Sequence, residues 1–264
     1  MNERTTIHRD GDDLVAAFSG SRWLHELRRI SVRGATPTLR NGSVESLCVV
    51  LSGTHDLHAG GGSWARRGVR QSPFEGRPVA LYLPPHTPWG SAAGDGELLV
   101  ASVIPPQKTQ AEDLREAAAR RPLLPLLGSG KAFDPTSGEW KTRESFPESP
   151  EALLPRRIAR MTTSRGAPFE RILDLDYKAR GLCVDEAALE VGIPFSAEPP
   201  RTPGYPDECA LWLQFDGILA IDGHELSAAD SPCAMRCDPL APPELRLVSG
   251  RGYVLAVYAG SKSA

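Results

Sequence analysis

The chain lacks the features that mark membrane, secreted and nucleic-acid-binding proteins. No apolar run reaches the roughly 20 residues that a membrane helix needs. The polar N-terminus has no apolar core of the kind found in signal peptides. A net charge of −3, from 30 basic and 33 acidic residues, provides no broad positive surface for nucleic acid. We therefore expect a cytoplasmic protein with no membrane and no nucleic-acid partner.

Cysteine and histidine are also scarce. The chain has 5 cysteines, and an odd number in a long chain argues against a disulfide framework. Cys233 and Cys237 lie four residues apart, but no second cysteine pair completes a zinc site. The cysteines are therefore predicted to be packed thiols. After residue 155 the only histidine is His224, which limits the metal sites that the second half could form.

Glycine and proline, by contrast, are abundant at 25 and 24 residues. They separate short apolar runs at a spacing of about ten residues, which is typical of β-sandwiches and barrels. Residues 46–53 and 98–104 in the first half, and 209–215 and 252–260 in the second, are predicted strands. Two such β blocks of similar size indicate a duplicated barrel.

The pattern along the chain divides it into three predicted parts. Residues 1–125 form a first β-barrel with one helix near residues 110–120, where alanine and charged residues favour a helix. Residues 126–155 are rich in Gly, Pro, Ser and Glu and form an irregular connection. Residues 156–264 form a second barrel.

One segment of the first half, GVRQSPFEGRPVALYLPPHTPW at residues 68–89, is distinctive. It resembles the corresponding segment of the 5-deoxy-glucuronate isomerase and 5-keto-4-deoxyuronate isomerase family, two-cupin sugar isomerases of bacterial inositol and pectin catabolism. Residues 49–53 and 253–260 resemble the first cupin strand and the closing strand of that family. The resemblance implies an all-β bicupin, with two cupin barrels in one chain and one or two short helices. The matching residues are Gly68, Arg70, Ser72, Phe74, Glu75, Gly76 and the strand at 80–85.

The resemblance also implies a metal site in the second barrel, held by a His-x-His pair after two prolines, a glutamate and a later histidine. Here Pro199 and Pro200 are followed by the triplet Arg201-Thr202-Pro203, and residues 237–243 contain no histidine. Only Glu208 matches a ligand position. A catalytic divalent metal needs about three protein ligands, so we expect no metal and no other cofactor.

Without a metal, the candidate catalytic residues are Glu208 as a general base, Arg201 as a holder of an oxyanion, and His86 at the mouth of the first barrel. If Glu208 lies inside the barrel it needs a basic or hydroxyl partner, and Arg201 or Tyr205 is nearest in sequence. The competing interpretations are a loop arginine that faces water and a structural salt bridge of Glu208 at the barrel rim.

The candidate substrate-binding residues are Tyr205, Asp207 and Trp212, although a tryptophan on a buried strand is more often part of the core. His55 and His58 could form a site with His86 in the first barrel if the chain turns between the two. We leave this site open.

Two functions compete on this evidence. One is an isomerase- or cyclase-type enzyme that acts on a small polar metabolite without a metal. The other is a non-catalytic cupin that binds a small molecule. A third alternative, a metal-dependent 5-deoxy-glucuronate isomerase, requires a different alignment of the ligands, and the scarcity of histidine argues against it. The expected partner is a small-molecule ligand or substrate, with a homo-oligomer as one alternative for the assembly.

Overall fold

A computed structural model describes residues 2–60, 62–106, 131–134, 139–142, 159–174, 179, 181–202 and 205–261. Apart from a 3₁₀ turn at Ala228–Asp230, the regular structure of these residues consists of β-strands, so the predicted all-β class is confirmed. The helix predicted near residues 110–120 lies outside the described residues. The described helical structure includes nothing long and apolar enough to cross a membrane.

Strands β1 to β9 lie in the first half of the chain, and their lengths differ widely. The two longest, β6 and β9, pair with each other along most of their length, with β-bulges after Val50 and Asp56. The nine strands are β1 (Glu3–Thr5), β2 (Ile7–Asp10), β3 (Asp13–Ala17), β4 (Leu24–Arg33), β5 (Leu39–Arg40), β6 (Glu45–Ala59), β7 (Gly62–Arg67), β8 (Ala80–Leu83) and β9 (Pro88–Val103).

The second half contains the remaining strands. They are β10 (Lys131–Asp134), β11 (Glu139–Thr142), β12 (Ala159–Thr162), β13 (Pro168–Leu173), β14 (Leu182–Leu189), β15 (Pro194–Phe195), β16 (Glu208–Phe215), β17 (Ile218–Ile221), β18 (His224–Leu226), β19 (Cys233–Cys237), β20 (Leu245–Ser249) and β21 (Gly252–Ala259). Strands β10 and β11 form a separate two-stranded sheet.

Each half forms its own barrel-like structure. In the first half the sheet order is β2-β3-β4-β9-β6-β7, with β5 paired to β9 and β8 paired to β6. In the second half a seven-stranded sheet, β1-β19-β16-β21-β14-β13-β12, faces a four-stranded sheet, β15-β20-β17-β18. The N-terminal strand β1 therefore belongs to a sheet of the second half. The predicted domain boundaries at 125 and 155 fall outside the described residues and stay predictions.

The seven-stranded sheet of the second half has two apolar faces. On β16 the odd-numbered residues, such as Cys209 and Leu211, point into the second barrel. The even-numbered residues, such as Ala210 and Trp212, pack against Leu47 and other residues of the first half. Because successive side chains on a strand point to opposite faces, this alternation decides whether a side chain faces the barrel interior or the other barrel.

Candidate functional site in the second barrel

Glu208, the candidate general base, lies on the face of β16 that is turned toward the first barrel. It is 8% exposed. Its carboxylate accepts hydrogen bonds from the backbone N–H groups of Arg22 (3.1 Å), Trp23 (3.0 Å) and Leu24 (3.0 Å). The hydroxyl of Ser21 also donates to it. The side chain therefore holds the loop that precedes β4.

Glu208 has the basic and hydroxyl partners that the sequence predicts, but they are Arg236 and Ser21 rather than Arg201 or Tyr205. Its cationic partner is Arg236, whose Nη2 lies 2.9 Å from Oε1, and Arg201 is exposed on its loop. The Tyr205 hydroxyl instead donates to the backbone carbonyl of Tyr258 at 2.6 Å. Burial raises the pKa of Glu208, but the hydrogen bonds from Ser21 and the backbone outweigh it and hold the pKa below its usual value. The geometry agrees with the structural alternative.

The other candidate residues of the second barrel do not assemble around a pocket either. Trp212 is fully buried on the face that packs against the first barrel, so its ring is not available to stack on a ligand inside the second barrel. Asp207 is exposed, and its carboxylate accepts a hydrogen bond from the N–H of Ser261 at 3.2 Å. Tyr205, as shown above, anchors a loop. Trp212 therefore faces the first barrel and Asp207 faces solvent, whereas Tyr205 is a buried part of the second-barrel core.

The histidines of the first half are separate from one another. His86 is exposed on the turn after β8, with a positive φ of 64°. His55 is buried, with Nε2 3.0 Å from the carbonyl oxygen of Ser52. His58 pairs across the sheet with Gly90. Within the described part of the chain, no three His, Cys, Asp or Glu side chains are grouped so that they could hold a metal, so the site left open above is not formed.

The residues at the family's metal positions do not fit a metal ion. Arg201 offers a cation at one ligand position, and Glu208 faces the other barrel with five hydrogen bonds already made. A carboxylate that is engaged in this way cannot also serve as an inward-facing metal ligand. The chemistry of Arg201 and the direction of Glu208 therefore agree with the loss of metal ligands inferred from the sequence.

The polar residues that do face the second barrel are Arg171 and Asp185. They are direct cross-strand neighbours on β13 and β14. The Arg171 guanidinium donates two hydrogen bonds to the Asp185 carboxylate, at 2.8 and 2.9 Å. A third bond runs from Arg171 to the carbonyl oxygen of Glu198 at 3.3 Å. Burial raises the pKa of Asp185 to about 6, although Arg171 acts in the opposite direction.

Tyr258 adds a second polar group next to this pair. Its side chain is 1% exposed, and its hydroxyl lowers the pKa of Asp185. The hydroxyl lies close enough to act on Asp185 but makes no hydrogen bond of normal geometry in the described structure. Burial raises the pKa of Tyr258 well above its usual value, so the phenol keeps its proton. The interior therefore contains a carboxyl group, a guanidinium and a hydroxyl donor that makes no hydrogen bond of normal geometry.

The cysteines behave as the sequence predicts. All five are free and buried. Cys183 and Cys209 are the cross-strand neighbours of Tyr258 on either side, and Cys237 lies opposite Cys209. Burial raises the pKa of Cys183 well above its usual value. Contact with Cys237, together with burial, does the same for Cys209. These thiols are therefore neutral packing groups rather than nucleophiles.

Arg171 and Asp185 are not among the residues predicted for the site, although the sequence contains a signal for them. Both are charged residues within strands that are mostly buried, and each has an acidic neighbour on its own strand, Glu170 or Glu186. Such positions are costly unless the charges are paired, so two of them in neighbouring strands indicate a buried pair. Their pairing itself depends on the register of β13 and β14, which contains a bulge after Arg171.

Arg70 of the distinctive 68–89 segment reaches the second half on the opposite face of β14. Its side chain is 1% exposed and donates to both carboxylate oxygens of Glu186, at 2.9 and 3.3 Å. The Tyr253 hydroxyl donates to the same carboxylate at 2.9 Å. Arg70 Nε also donates to the carbonyl oxygen of Val50 at 2.7 Å. The arginine of this segment therefore joins the two halves.

Comparison with known proteins agrees with this architecture. An IolB-like protein from Salmonella typhimurium LT2 has a TM-score of 0.65 and 18% identity, covering 98% of this chain and 93% of that one. Oxalate decarboxylase from Lactobacillus farciminis has a TM-score of 0.56 and 11% identity, and the match covers 99% of this chain and 87% of that one. A bacterial pirin from Escherichia coli, solved in complex with nickel(II), has a TM-score of 0.51 and 11% identity, and the match covers 98% of this chain and 99% of that one. These likenesses confirm the bicupin fold.

Sequence comparison is informative for the first half. No curated protein matches the chain significantly. Residues 24–124, however, match the model of the KduI/IolB family. This range includes the whole 68–89 segment on which the resemblance rests. The predicted resemblance is therefore confirmed for residues 24–124, which are less than half of the chain.

Proposed function

We propose that this bicupin is an isomerase-type enzyme of the uronate-isomerase kind, and that Asp185 is its acid–base group. The observation that carries the proposal is the set of inward-facing polar groups in the second barrel: Asp185, Arg171 and the hydroxyl of Tyr258. An isomerase that moves a proton between adjacent carbons needs a group that takes and returns that proton, and donors for the oxygen that becomes negative.

The chemistry of the three groups matches these needs. A carboxyl with a pKa of about 6 can accept a proton and return it near neutral pH. In the proposed reaction, the Asp185 carboxylate takes the proton from the hydroxyl-bearing carbon next to the carbonyl and returns it to the former carbonyl carbon. Within the enediolate, the proton of the neighbouring hydroxyl moves to the former carbonyl oxygen, so that this oxygen becomes a hydroxyl and the neighbouring one a carbonyl. Tyr258 and Arg171 donate hydrogen bonds to the enediolate oxygen that forms between these two steps. The substrate is a small polar metabolite with adjacent carbonyl and hydroxyl groups.

The residues of this chain would perform the reaction without the metal of the family. Arg171 supplies a fixed positive charge that is always present at neutral pH, because its pKa is raised further by Asp185. The proposal therefore gives Glu208, Arg201 and His86 no role in proton transfer.

One observation favours the second candidate, a cupin that binds a small molecule without turnover. Asp185 and Arg171 are only 2% and 7% exposed. Each already serves as the hydrogen-bond and charge partner of the other. A ligand would have to reach the pair and share its hydrogen bonds. If the pair does not open, the barrel binds ligands only at its mouth.

The experiment is an exchange assay. Protein dialysed against EDTA is incubated with 5-deoxy-glucuronate in D₂O, and ¹H NMR follows isomerisation and deuterium uptake at the carbon next to the carbonyl. We expect both to occur, to be lost in Asp185→Asn, and to persist in the matched control Asp12→Asn on an exposed turn. Activity that is lost with EDTA and restored by a metal would contradict the proposal. Binding of the sugar without exchange would support the second candidate.

A further inference from the structure

A pocket at the side of the second barrel takes no part in the proposed reaction. It lies between the sheet edge formed by β1 and β19 and the β17–β18 hairpin, and its volume is about 220 Å³. We propose that this pocket, the seam pocket, binds a small monocarboxylate with an apolar body. The lining residues that carry the proposal are Arg4, Cys233, Met235, Ile221, His224 and Leu226.

The floor of the seam pocket is apolar. Cys233 and Met235 belong to the core of the second barrel and are 4% and 7% exposed. Ile221 and Leu226 are partly buried against the same core from the four-stranded sheet. These side chains offer no strong hydrogen-bonding group, so a polar ligand body would give up bonds to water without replacement. Because a cavity of roughly 150 Å³ can hold benzene, the pocket has room for a ring or a branched chain.

The strand registers place two nitrogen-bearing side chains beside this floor. Arg4 is the cross-strand neighbour of Met235, and His224 is the cross-strand neighbour of Ile221. Cross-strand neighbours share a face of their sheet, so Arg4 and His224 lie on the faces that turn toward the second-barrel core. The pocket therefore has an apolar floor with a hydrogen-bond donor on each of its two walls.

Arg4 and His224 retain donors for a ligand. In the described structure only Nη2 of Arg4 is bonded, at 3.3 Å to the carbonyl oxygen and 3.5 Å to the carboxylate of Asp230. The Arg4 side chain is 52% exposed and can turn toward a ligand, and its planar fork of N–H groups suits a carboxylate. Glu3 and Glu225, the neighbouring acidic residues in sequence, lie on the opposite faces of their strands, because successive side chains alternate.

The two carboxylates nearest the pocket are already occupied. Asp222 accepts hydrogen bonds from the Asn2 amide at 3.3 Å and from the N–H of Glu244 at 2.9 Å. Asp230 accepts hydrogen bonds from the N–H and the hydroxyl of Ser227, both at 3.1 Å. Since these acceptors have donors of their own, the groups at the rim that can still form bonds are the donors of Arg4 and His224. Such donors match a carboxylate rather than an amine.

The hairpin that carries His224 has a defined geometry. Its two turn residues, Asp222 and Gly223, have φ values of 48° and 84°. Positive φ at both positions is typical of the type I′ turn, whose twist matches that of the paired strands. The bond from Asn2 to Asp222 ties this turn to the segment that carries Arg4. The seam pocket is therefore preformed, and a ligand does not have to order it.

The test is a titration followed by NMR of methyl-¹³C methionine in the full chain, which has 3 methionines. Met235 lines the seam pocket, whereas Met161 is on β12, at the other edge of the seven-stranded sheet. The probe is benzoate; benzamide is its neutral counterpart and acetate lacks the apolar body, all at constant ionic strength. We expect benzoate to shift the Met235 methyl resonance saturably, to leave Met161 unchanged, and to bind several-fold more tightly than benzamide or acetate.

The matched variants are Arg4→Gln and Arg9→Gln, of which Arg9 is exposed on β2 in the first half. In Arg4→Gln we expect the affinity for benzoate to fall roughly fivefold, because a charge-assisted hydrogen bond is lost. The Arg9→Gln control should change it less than about twofold. Both substitutions are at exposed positions, so we expect both variants to keep the melting temperature of the parent chain.

Three results would overturn the proposal. They are equal affinities for benzoate and benzamide, unchanged benzoate binding by a folded Arg4→Gln, and equal shifts of the Met235 and Met161 resonances. A Met235 resonance that moves with protein concentration before any probe is added would show that a second copy of the chain fills the pocket, and would also overturn it. None of these results depends on the isomerase reaction.

Discussion

The two faces of the seven-stranded sheet use polar residues in different ways. On the face turned toward the first half, Glu186 and Glu208 receive their full set of hydrogen bonds from distant parts of the chain. On the face turned into the second barrel, Asp185 has one cationic partner, Arg171. The Tyr258 hydroxyl on the same face makes no hydrogen bond of normal geometry. Fully satisfied carboxylates join the halves, whereas incompletely satisfied groups mark the place where a ligand can contribute.

A third carboxylate extends this comparison. Glu45 of the first half accepts a hydrogen bond from the Tyr82 hydroxyl at 2.7 Å and another from the backbone N–H of Gly181 in the second half at 3.1 Å. Glu45 is fully buried. The junction between the halves therefore contains three glutamates, each bonded across the boundary. The two halves should unfold together rather than as independent units.

The largest expected effect is at the Arg70–Glu186 pair. Arg70→Ala would leave the Glu186 carboxylate buried without its cation, and we expect a loss of about 3–5 kcal/mol in the free energy of unfolding. Urea denaturation followed by circular dichroism measures this. The control is Arg67→Ala, on an exposed part of β7. Because this substitution does not touch the barrel interior, we expect it to change the free energy of unfolding by less than about 0.5 kcal/mol. Equal effects of the two substitutions would show that the junction does not hold the halves together.

Phe74→Ala should have a smaller effect than a core position would predict. From the sequence, Phe74 is expected to pack within the first barrel, with a cost of about 3–5 kcal/mol on truncation if it is fully buried. The structure places it half-buried at the junction, in contact with the inter-barrel core and with Arg251. We therefore expect a cost of about 1–3 kcal/mol in thermal or urea unfolding. A cost as large as that of Arg70→Ala would mean that this side chain is buried more completely.

Glu208→Gln should weaken the fold without affecting turnover. The amide keeps the shape but loses the charge that binds Arg236 and Ser21, and we expect a loss of about 1–2 kcal/mol at neutral pH. The pKa of Glu208 is lower when folded than its usual value of 4.5. Its contribution is therefore complete above pH 4.5 and is lost as the pH falls through the folded pKa. Urea titrations from about pH 6 to pH 3 should show a shallower decline in Glu208→Gln than in the parent chain.

Asp185 should show the opposite dependence on pH. Its pKa is raised from 3.8 to about 6 on folding, so the folded state binds its proton more tightly. The contribution of Asp185 to stability is complete below pH 3.8 and is lost as the pH rises toward 6. Asp185→Asn should remove this decline. In the exchange assay, turnover should increase through about pH 6 as the base ionises.

The fold could be predicted from the sequence to a greater extent than the candidate site. The apolar strand segments, the turn residues and the 68–89 segment were sufficient to predict the all-β bicupin. Alternating apolar and polar residues within strands, and Gly and Pro between strands, are local signals in the sequence. The direction of Glu208 was not foreseeable, since a shift of one residue turns a side chain to the other face of the sheet. Its partners also come from residues 21–24, far away in the chain.

The Arg171–Asp185 pair is an intermediate case. Charged residues in buried strands were visible in the sequence, and they predict pairing in general terms. Which charges meet was decided by the register between β13 and β14, including the bulge after Arg171. The same register places Glu170 opposite Glu186. Pair identities of this kind depend on tertiary structure and need coordinates.

The central claim is that carboxylates at the junction are structural and that the carboxyl group inside the second barrel is functional. The most direct test measures unfolding free energy and deuterium exchange into 5-deoxy-glucuronate for the matched variants Glu208→Gln and Asp185→Asn. We expect Glu208→Gln to lose stability and keep exchange, and Asp185→Asn to lose exchange and keep its fold. Exchange that is abolished in Glu208→Gln but retained in Asp185→Asn would contradict the claim.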